Sequence, residues 1–359
     1  MNWTYRLGRV KGIDLFVHWT FLIVVGWIVL SSLLAGKGLP AALLGAGFVL
    51  LIFACVVLHE LGHALVAARY GIGTLDITLL PIGGIARLER LPDDPREELW
   101  ITLAGPAVNV AIAAALLVSS NLYQAMAPSS EVVTVSVRLL DDLKWINLGL
   151  AAFNMLPAFP LDGGRVLRSL LAMRLDRVEA TQFAAALGKS FAILIGLVGL
   201  FFNGLLLVVA LFVYFGADYE ERLAETHAVL RDVQTRNAML TQIHVLSQND
   251  SLDTAATEWF DTMQSDFPVL DHGQLVGVLD CGHLVKALAE SGPEERVGNV
   301  MERDWPTVED NETLDTALAK LREDGHTSLP VVHHGHFVGM VTMQSIGQWM
   351  KVHSVSCEA

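Results

Sequence analysis

Six long apolar segments in the first 218 residues constrain the fold more than any other feature of the chain. A helix needs roughly 20 mainly apolar residues to cross a bilayer. Over the whole chain, 53% of residues are hydrophobic and only 17% are charged, which is too apolar for an ordinary soluble protein. The pattern predicts a multi-pass α-helical membrane protein with six transmembrane helices. They cover residues 16–34, 41–70, 99–119, 143–156, 180–202 and 205–215.

Charge divides the chain into two parts of different character. Residues 1–218 hold 15 basic and 15 acidic side chains, whereas residues 219–359 hold 9 basic and 23 acidic ones, so the net charge of −14 falls in the second part. An acidic tail argues against a nucleic-acid partner, because phosphate binding needs clustered Lys and Arg. The three cysteines show no CxxC spacing, so no disulfide framework is expected. We predict a membrane domain at residues 1–218, a linker at 219–236 and a soluble tail.

Basic residues predict the orientation of the helices. They gather before the first predicted helix, between the second and third, and between the fourth and fifth. Loops rich in Lys and Arg stay in the cytoplasm. With six helices in the cell membrane, the N-terminus and the acidic tail are then both expected to be cytoplasmic.

An HExxH motif, formed by His59, Glu60 and His63, lies inside the second apolar segment. Residues four apart share one face of a helix, so both imidazoles can reach one metal ion while Glu60 addresses a water molecule. The alternatives are that these are polar residues at the interfacial end of a helix or histidines of the core with satisfied hydrogen bonds. Spacing and apolar context must both coincide, which favours a metal site over these alternatives.

A catalytic zinc site takes three protein ligands, so a third ligand must come from elsewhere in the chain. Asp162 is the candidate, because the fourth predicted helix ends on the same side of the membrane as the second. Pro157 and Pro160 are expected to break this helix. Gly163 and Gly164 are expected to permit an unusual backbone that presents the carboxylate. Taken alone, Asp162 would also fit a polar turn at a helix end.

Four motifs together resemble the site-2 proteases of peptidase family M50, intramembrane zinc enzymes that cleave transmembrane segments of other proteins. The resemblance implies one Zn²⁺ per chain, bound by His59, His63 and Asp162, with Glu60 as general base. It also implies a single-pass membrane substrate, such as an anti-sigma factor or a membrane-tethered transcription factor, cut in regulated intramembrane proteolysis. The motifs are HELGH at residues 59–63, LPIGGIARLE at 80–89, AGPAVN at 104–109 and NMLPAFPLDGG at 154–164.

Further residues are implied to position the substrate. For Asn109 and Asn154, the family resemblance implies contacts to the substrate strand or the oxyanion, and hydrogen bonding between helices is an equal alternative. Residues 74–91 predict a membrane-associated β-hairpin that turns at Gly83 and Gly84. Its edge could capture an extended peptide by strand addition. A structural turn at the membrane interface is the alternative.

The tail contains two similar units, residues 237–290 and 291–354, with Pro268 and Pro330 in equivalent positions. Their pattern of helix, strand, turn and strand resembles a tandem α/β pair of cystathionine-β-synthase (CBS) domains, which often bind adenosine nucleotides. That binding calls for a Thr and an Asp three residues apart. The chain instead has one pair in each unit, Asp280 with His283 and Thr342 with Ser345.

Neither unit keeps the acidic residue at the ribose position, which argues against an adenosine nucleotide. No cofactor-binding residues are therefore assigned in the tail. A regulatory sensor and a structural module that forms a homodimer through the CBS pair are both open.

A second hypothesis for the whole chain is a divalent metal transporter or channel regulated by the CBS pair, since intramembrane His, Glu and Asp also serve transport. Glu60 discriminates between the two hypotheses, because hydrolysis needs it and transport does not. The apolar segments also lack the related halves that transporters usually show. The sequence therefore favours the protease.

Overall fold

The structure, a computed structural model, describes residues 4–81, 83–90, 92, 94–126, 131–323 and 325–355. The chain divides into two units, Met1–Ala224 and Glu225–Ala359. Cys55 and Cys281 are free thiols. Cys357 lies outside the described residues.

Helices make up most of the first unit. Among the described helices, α2 (Gly38–Arg69), α3 (Pro95–Met126) and α6 (Arg177–Phe202) are long and apolar enough to cross a bilayer. Helix α1 (Trp19–Leu34) is apolar but shorter. The fourth and seventh helices each combine an apolar half with a charged half. A largely helical unit of membrane-spanning composition is thus present. The helices are α1 (Trp19–Leu34), α2 (Gly38–Arg69), α3 (Pro95–Met126), α4 (Glu131–Asn154), α5 (Asp162–Ala172), α6 (Arg177–Phe202) and α7 (Gly204–Arg231).

A four-stranded sheet accompanies these helices, in the order β1 (Thr4–Val10), β2 (Ile13–His18), β3 (Thr74–Leu80) and β4 (Gly83–Leu88). The β2–β3 pair is parallel, and the outer pairs are antiparallel. The sequence predicted only the β3–β4 hairpin. The prediction that the first helix begins at residue 16 was wrong, because Phe16 is paired with β1 on one side and β3 on the other.

The predicted turn of the hairpin was also misplaced. Gly83 and Gly84 are the first residues of β4, and Leu80 pairs with Gly83, so the turn comes before these glycines. Ile82 itself lies outside the described residues. A Cβ atom on Gly84 would lie 2.6 Å from Cγ of Glu60. The glycine therefore serves a close contact with α2 rather than a turn.

The connection between α4 and α5 brings Asp162 to the start of a helix. The prolines lie in this connection, as predicted, but Gly163 and Gly164 are ordinary helical residues of α5. The prediction of an unusual backbone there was wrong. A Cβ on Gly163 would lie 2.2 Å from the carbonyl oxygen of Leu156. These glycines let the first turn of α5 pack directly on the loop that precedes it.

The seventh helix is longer than the sequence predicted. We expected the sixth apolar segment, residues 205–215, to end just before Gly216, but α7 continues through Gly216 to Arg231. A Cβ on Gly216 would lie 2.4 Å from Cδ of Pro160, so this glycine marks close packing and not a helix end. The segment assigned to a linker, residues 219–236, is consequently helical as far as Arg231.

The second unit confirms the predicted α/β repeat. Its six strands form one sheet in the order β5-β6-β7-β10-β9-β8. Both hairpins turn through a His-Gly pair with positive φ, at residues 272–273 and 334–335. The elements are β5 (Leu246–Ser247), α8 (Leu252–Thr262), β6 (Asp266–Asp271), β7 (Gln274–Asp280), α9 (Cys281–Ser291), α10 (Val297–Val300), β8 (Val308–Glu309), α11 (Leu314–Glu323), β9 (Ser328–His333), β10 (His336–Thr342) and α12 (Met343–Val355).

The contact below Gly163 yields a stability prediction. Gly163→Ala should lower the free energy of unfolding by about 1–3 kcal/mol, because the added methyl overlaps backbone that cannot move independently. Gly149→Ala is the matched control, since a Cβ there meets nothing within 4 Å in the interior of α4. It should be neutral or slightly stabilising. Thermal unfolding of both variants in detergent checks this, and equal melting temperatures would contradict it.

Candidate metal centre

Three side chains from two helices converge at one point in the first unit. Nε2 of His59 lies 3.1 Å from Nε2 of His63 and 3.1 Å from Oδ2 of Asp162. Nε2 of His63 lies 3.4 Å from the same carboxylate oxygen. His59 is buried, and the other two side chains are nearly so. The structure thus brings together the two histidines of the HExxH motif and the distant aspartate.

Hydrogen bonds fix which nitrogen of each ring carries the proton. Nδ1 of His63 lies 2.8 Å from the carbonyl oxygen of Ile101, which can only accept. Two amides determine the tautomer of His59: Nδ2 of Asn147 donates to the carbonyl oxygen of Leu143, so its Oδ1 accepts from Nδ2 of Asn109. Oδ1 of Asn109 then accepts from Nδ1 of His59 at 2.5 Å. Both rings donate through Nδ1.

The consequence is that three lone-pair atoms face one another. When the rings are neutral, as metal ligands must be, protonation at Nδ1 leaves both Nε2 lone pairs facing each other and the Asp162 carboxylate. Such a set of lone-pair atoms is stabilised by a cation. The separations of 3.1–3.4 Å between these atoms are close to the spacing of the ligand atoms around a zinc ion. A tetrahedral zinc with bonds of about 2.0–2.1 Å requires ligand atoms roughly 3.3 Å apart. The residues therefore fit a zinc ion with three protein ligands.

Two glycines allow the helices to approach this closely. A Cβ on Gly62 of α2 would lie 2.9 Å from the carbonyl oxygen of Ala104 on α3. A Cβ on Gly105 would lie 2.2 Å from Nε2 of His63 and 2.7 Å from Nε2 of His59. Space beside the two nitrogens thus depends on the missing side chain at Gly105.

The side chain of Glu60 extends from α2 to the edge strand of the sheet. Its side chain is half-buried and packs against Gly84, the second residue of β4. Because β4 is the terminal strand of the four-stranded sheet, Glu60 stands beside an edge as well as beside the histidines. This arrangement places a carboxylate next to both the candidate metal centre and a strand that, among the described residues, pairs on one side only.

The remaining predicted residues are distributed differently. Asn109 is fully buried and holds His59, which corresponds to the hydrogen-bonding alternative. Asn154 ends α4 half-buried, and within the described part of the chain its side chain makes no hydrogen bond. Gly83 opens β4 with φ of +145°. Sequence reasoning missed Asn147, although an amide in an apolar segment was a usable signal.

In the second unit, the positions expected to contact a nucleotide are engaged with each other. Asp280 caps α9 by accepting from the backbone N–H of His283 at 2.9 Å, and also contacts the His283 ring. Burial raises the pKa of Asp280, but these hydrogen bonds outweigh it, so its pKa lies below the ordinary value. In the second repeat of the same unit, the backbone N–H of Ser345 donates to the hydroxyl oxygen of Thr342 at 3.0 Å. Both pairs serve as helix caps.

Comparison with known proteins identifies the family of the chain. The model of peptidase family M50 matches residues 47–198, and the CBS domain model matches residues 230–290 and 297–350. A zinc metalloprotease of Methanocaldococcus jannaschii is 32% identical over 98% of this chain and 97% of its own length. Stage IV sporulation protein FB of Bacillus subtilis is 28% identical over 48% of this chain and 58% of its own.

A solved structure, the site-2 protease from M. jannaschii, is 39% identical and covers 61% of this chain and 95% of its own, with a TM-score of 0.46. The full-length relative shows the family. The chain belongs to peptidase family M50, the zinc metalloproteases of site-2 protease type, and carries two CBS domains. Membership of this family favours the enzyme over the transporter hypothesis.

The hydrogen bond to His59 yields a prediction for metal binding. Asn109→Ala should weaken zinc binding by roughly 10–100-fold, because it removes the acceptor that holds the His59 ring and its tautomer. Asn154→Ala is the matched control and should keep wild-type affinity. Zinc retained against a competing chelator is the measurement. Equal retention by both variants would show that the Asn109 contact does not matter.

Proposed function

We propose that the protein is a zinc-dependent intramembrane endopeptidase that hydrolyses peptide bonds within or near transmembrane segments of membrane-bound substrates. One observation carries the proposal: two imidazoles with their N–H groups directed elsewhere face one carboxylate, with Glu60 alongside. His59, His63 and Asp162 would hold a single Zn²⁺.

The bound zinc would polarise the scissile carbonyl and lower the pKa of its water to about 7. Glu60 accepts the proton of the attacking water and then delivers it to the leaving amine nitrogen. Asn109 keeps the His59 ring in its tautomer.

The edge of β4 is proposed to present the substrate. A transmembrane helix hides its peptide bonds, so it must become extended before attack. An extended segment can pair with the free side of β4, which passes Glu60 at Gly84. Gly83 and Gly84 would leave the first part of this edge clear of side chains. The role predicted for Asn154 stays a proposal with no contact to support it.

The cellular arrangement belongs to the same proposal. Six spans formed by α1–α4, α6 and α7 would place the protein in the cell membrane with its N-terminus and CBS pair in the cytoplasm. The domains would be residues 1–218, 237–290 and 291–354. Substrates would be single-pass proteins, such as anti-sigma factors or membrane-tethered transcription factors. The CBS pair would regulate the enzyme or hold two copies together.

The proposed general base can be tested directly. Glu60→Gln should lower cleavage of a model single-pass substrate by at least roughly hundredfold, because the amide cannot accept the proton. Zinc content should stay at the wild-type level, since Glu60 is not among the three proposed ligands. His59→Ala should lose both zinc and cleavage. Undiminished cleavage by the Gln variant would contradict the role of Glu60 as general base.

The contact between Gly84 and Glu60 yields a second kinetic prediction. Gly84→Ala should push the Glu60 side chain from its position and lower kcat by roughly 10–100-fold, since small displacements of a reacting group are costly. Gly8→Ala, on β1 of the same sheet, is the control because a Cβ there meets nothing within 4 Å. Wild-type kcat in the Gly84 variant would contradict this placement of the base.

A further inference from the structure

A buried ion cluster lies on the far part of the helix that begins with Asp162. Arg168 of α5 donates to Glu98 of α3 through Nε at 2.9 Å and through a second nitrogen as well. Its remaining nitrogen donates to Oε2 of Glu220 on α7 at 3.3 Å. The side chains of Arg168 and Glu98 are each 6% exposed, and that of Glu220 is 14% exposed. Three helices therefore meet at one guanidinium.

Glu220 holds α5 at a second point. Its other oxygen, Oε1, accepts from Arg165 at 3.4 Å. The two oxygens of one carboxylate thus bind two arginines of α5, and Arg165 is one helical turn from Asp162. Arg168 also lies over the ring of Phe159, 5.1 Å from its centroid, in the loop that leads to Asp162. The cluster restrains both the helix and the loop that carry the aspartate.

The position of α5 depends strongly on such contacts. The helix has only 11 residues, so it is too short to be fixed by crossing the membrane. A metal ligand that moves by a few tenths of an ångström leaves the range of productive bond lengths. An ionic anchor at its middle limits rotation and sliding of α5, and therefore displacement of the Asp162 carboxylate.

We propose that Glu220 is a positioning residue for the metal centre, acting through Arg165 and Arg168 on Asp162. The inference rests on the proposed function, in which Asp162 is a zinc ligand.

The neighbouring residue supplies a matched control. Glu221 lies on the same helix, but its carboxylate binds Lys189 of α6 at 2.7 Å, and among the described residues no hydrogen bond or ion pair joins it to α5. Lys189 keeps a second partner, Asp218, at 2.7 Å when Glu221 is removed. Glu220→Gln and Glu221→Gln therefore make the same change of charge one residue apart, and only the first should disturb Asp162.

The experiment measures the apparent Kd for Zn²⁺ of the full chain in detergent, by competition with a chelator, well below the melting temperature of each variant. Glu220→Gln should raise the Kd roughly tenfold, at the lower end for residues that orient metal ligands. Glu221→Gln should leave it within about twofold, the ordinary scatter of surface changes. Glu220→Asp, which keeps the charge, should recover part of the loss.

The outcomes separate the two proposals. If the wild type binds zinc and Glu220→Gln binds it equally well, the positioning role is overturned while the proposed function stands. An equal loss in both Gln variants also overturns it, because the effect would then belong to α7 in general. If the wild type binds no zinc, the proposed function fails and takes the inference with it. Should Glu220→Gln not fold, Arg165→Gln, which removes one contact at a half-exposed side chain, decides by the same criterion.

Discussion

The protonation of two imidazole rings is the interaction on which the rest of the site depends. Because the carbonyl oxygen of Ile101 and the amide oxygen of Asn109 both accept Nδ1–H, each Nε2 of the neutral rings is an acceptor that points at the other ring and at Asp162. In a low-dielectric interior, three converging acceptors repel one another strongly unless a positive charge stands between them. The surrounding helices are therefore built around a position that calls for a cation.

Close packing at glycine residues creates that position. Gly105 faces the two Nε2 atoms, and Gly84 faces Glu60. Gly163, in the first turn of α5, packs directly against the loop that precedes this helix. In each case a methyl group would overlap atoms of the site or the backbone that supports it. Helices in lipid associate mainly through tight packing at small residues, since the hydrophobic effect does not drive them together. The same small residues that assemble the bundle therefore also shape the metal centre.

Much of the candidate site could be predicted because its chemistry follows from local spacing and from charge. The i, i+4 spacing put His59 and His63 on one face, and the distribution of Lys and Arg brought Asp162 to the same side. What could not be predicted depends on long-range packing. Gly83, Gly84 and Gly216 appeared to be turn or stop residues, because a sequence does not distinguish a glycine that bends the backbone from one that admits a neighbour.

The N-terminal strands were missed for a related reason. Residues 16–18 continue the apolar run of α1, and hydropathy alone cannot separate a strand from the helix that follows it. Only pairing with both β1 and β3 makes this segment extended. The four strands together hold β4, the strand beside Glu60, in place. A hairpin of β3 and β4 alone would be only marginally stable and would hold β4 less firmly.

On the proposed function, an open strand edge beside an intramembrane site has its own physical requirement. Free N–H and C=O groups cannot face lipid, so they must meet protein or water. Hydrolysis needs water at the same place, because water is a reactant. A substrate strand that pairs with β4 replaces edge-bound water by backbone hydrogen bonds and brings its own peptide bond to Glu60. On the proposed function, the edge thus admits water when it is free and binds the extended peptide when it is occupied, and both states serve the same reaction.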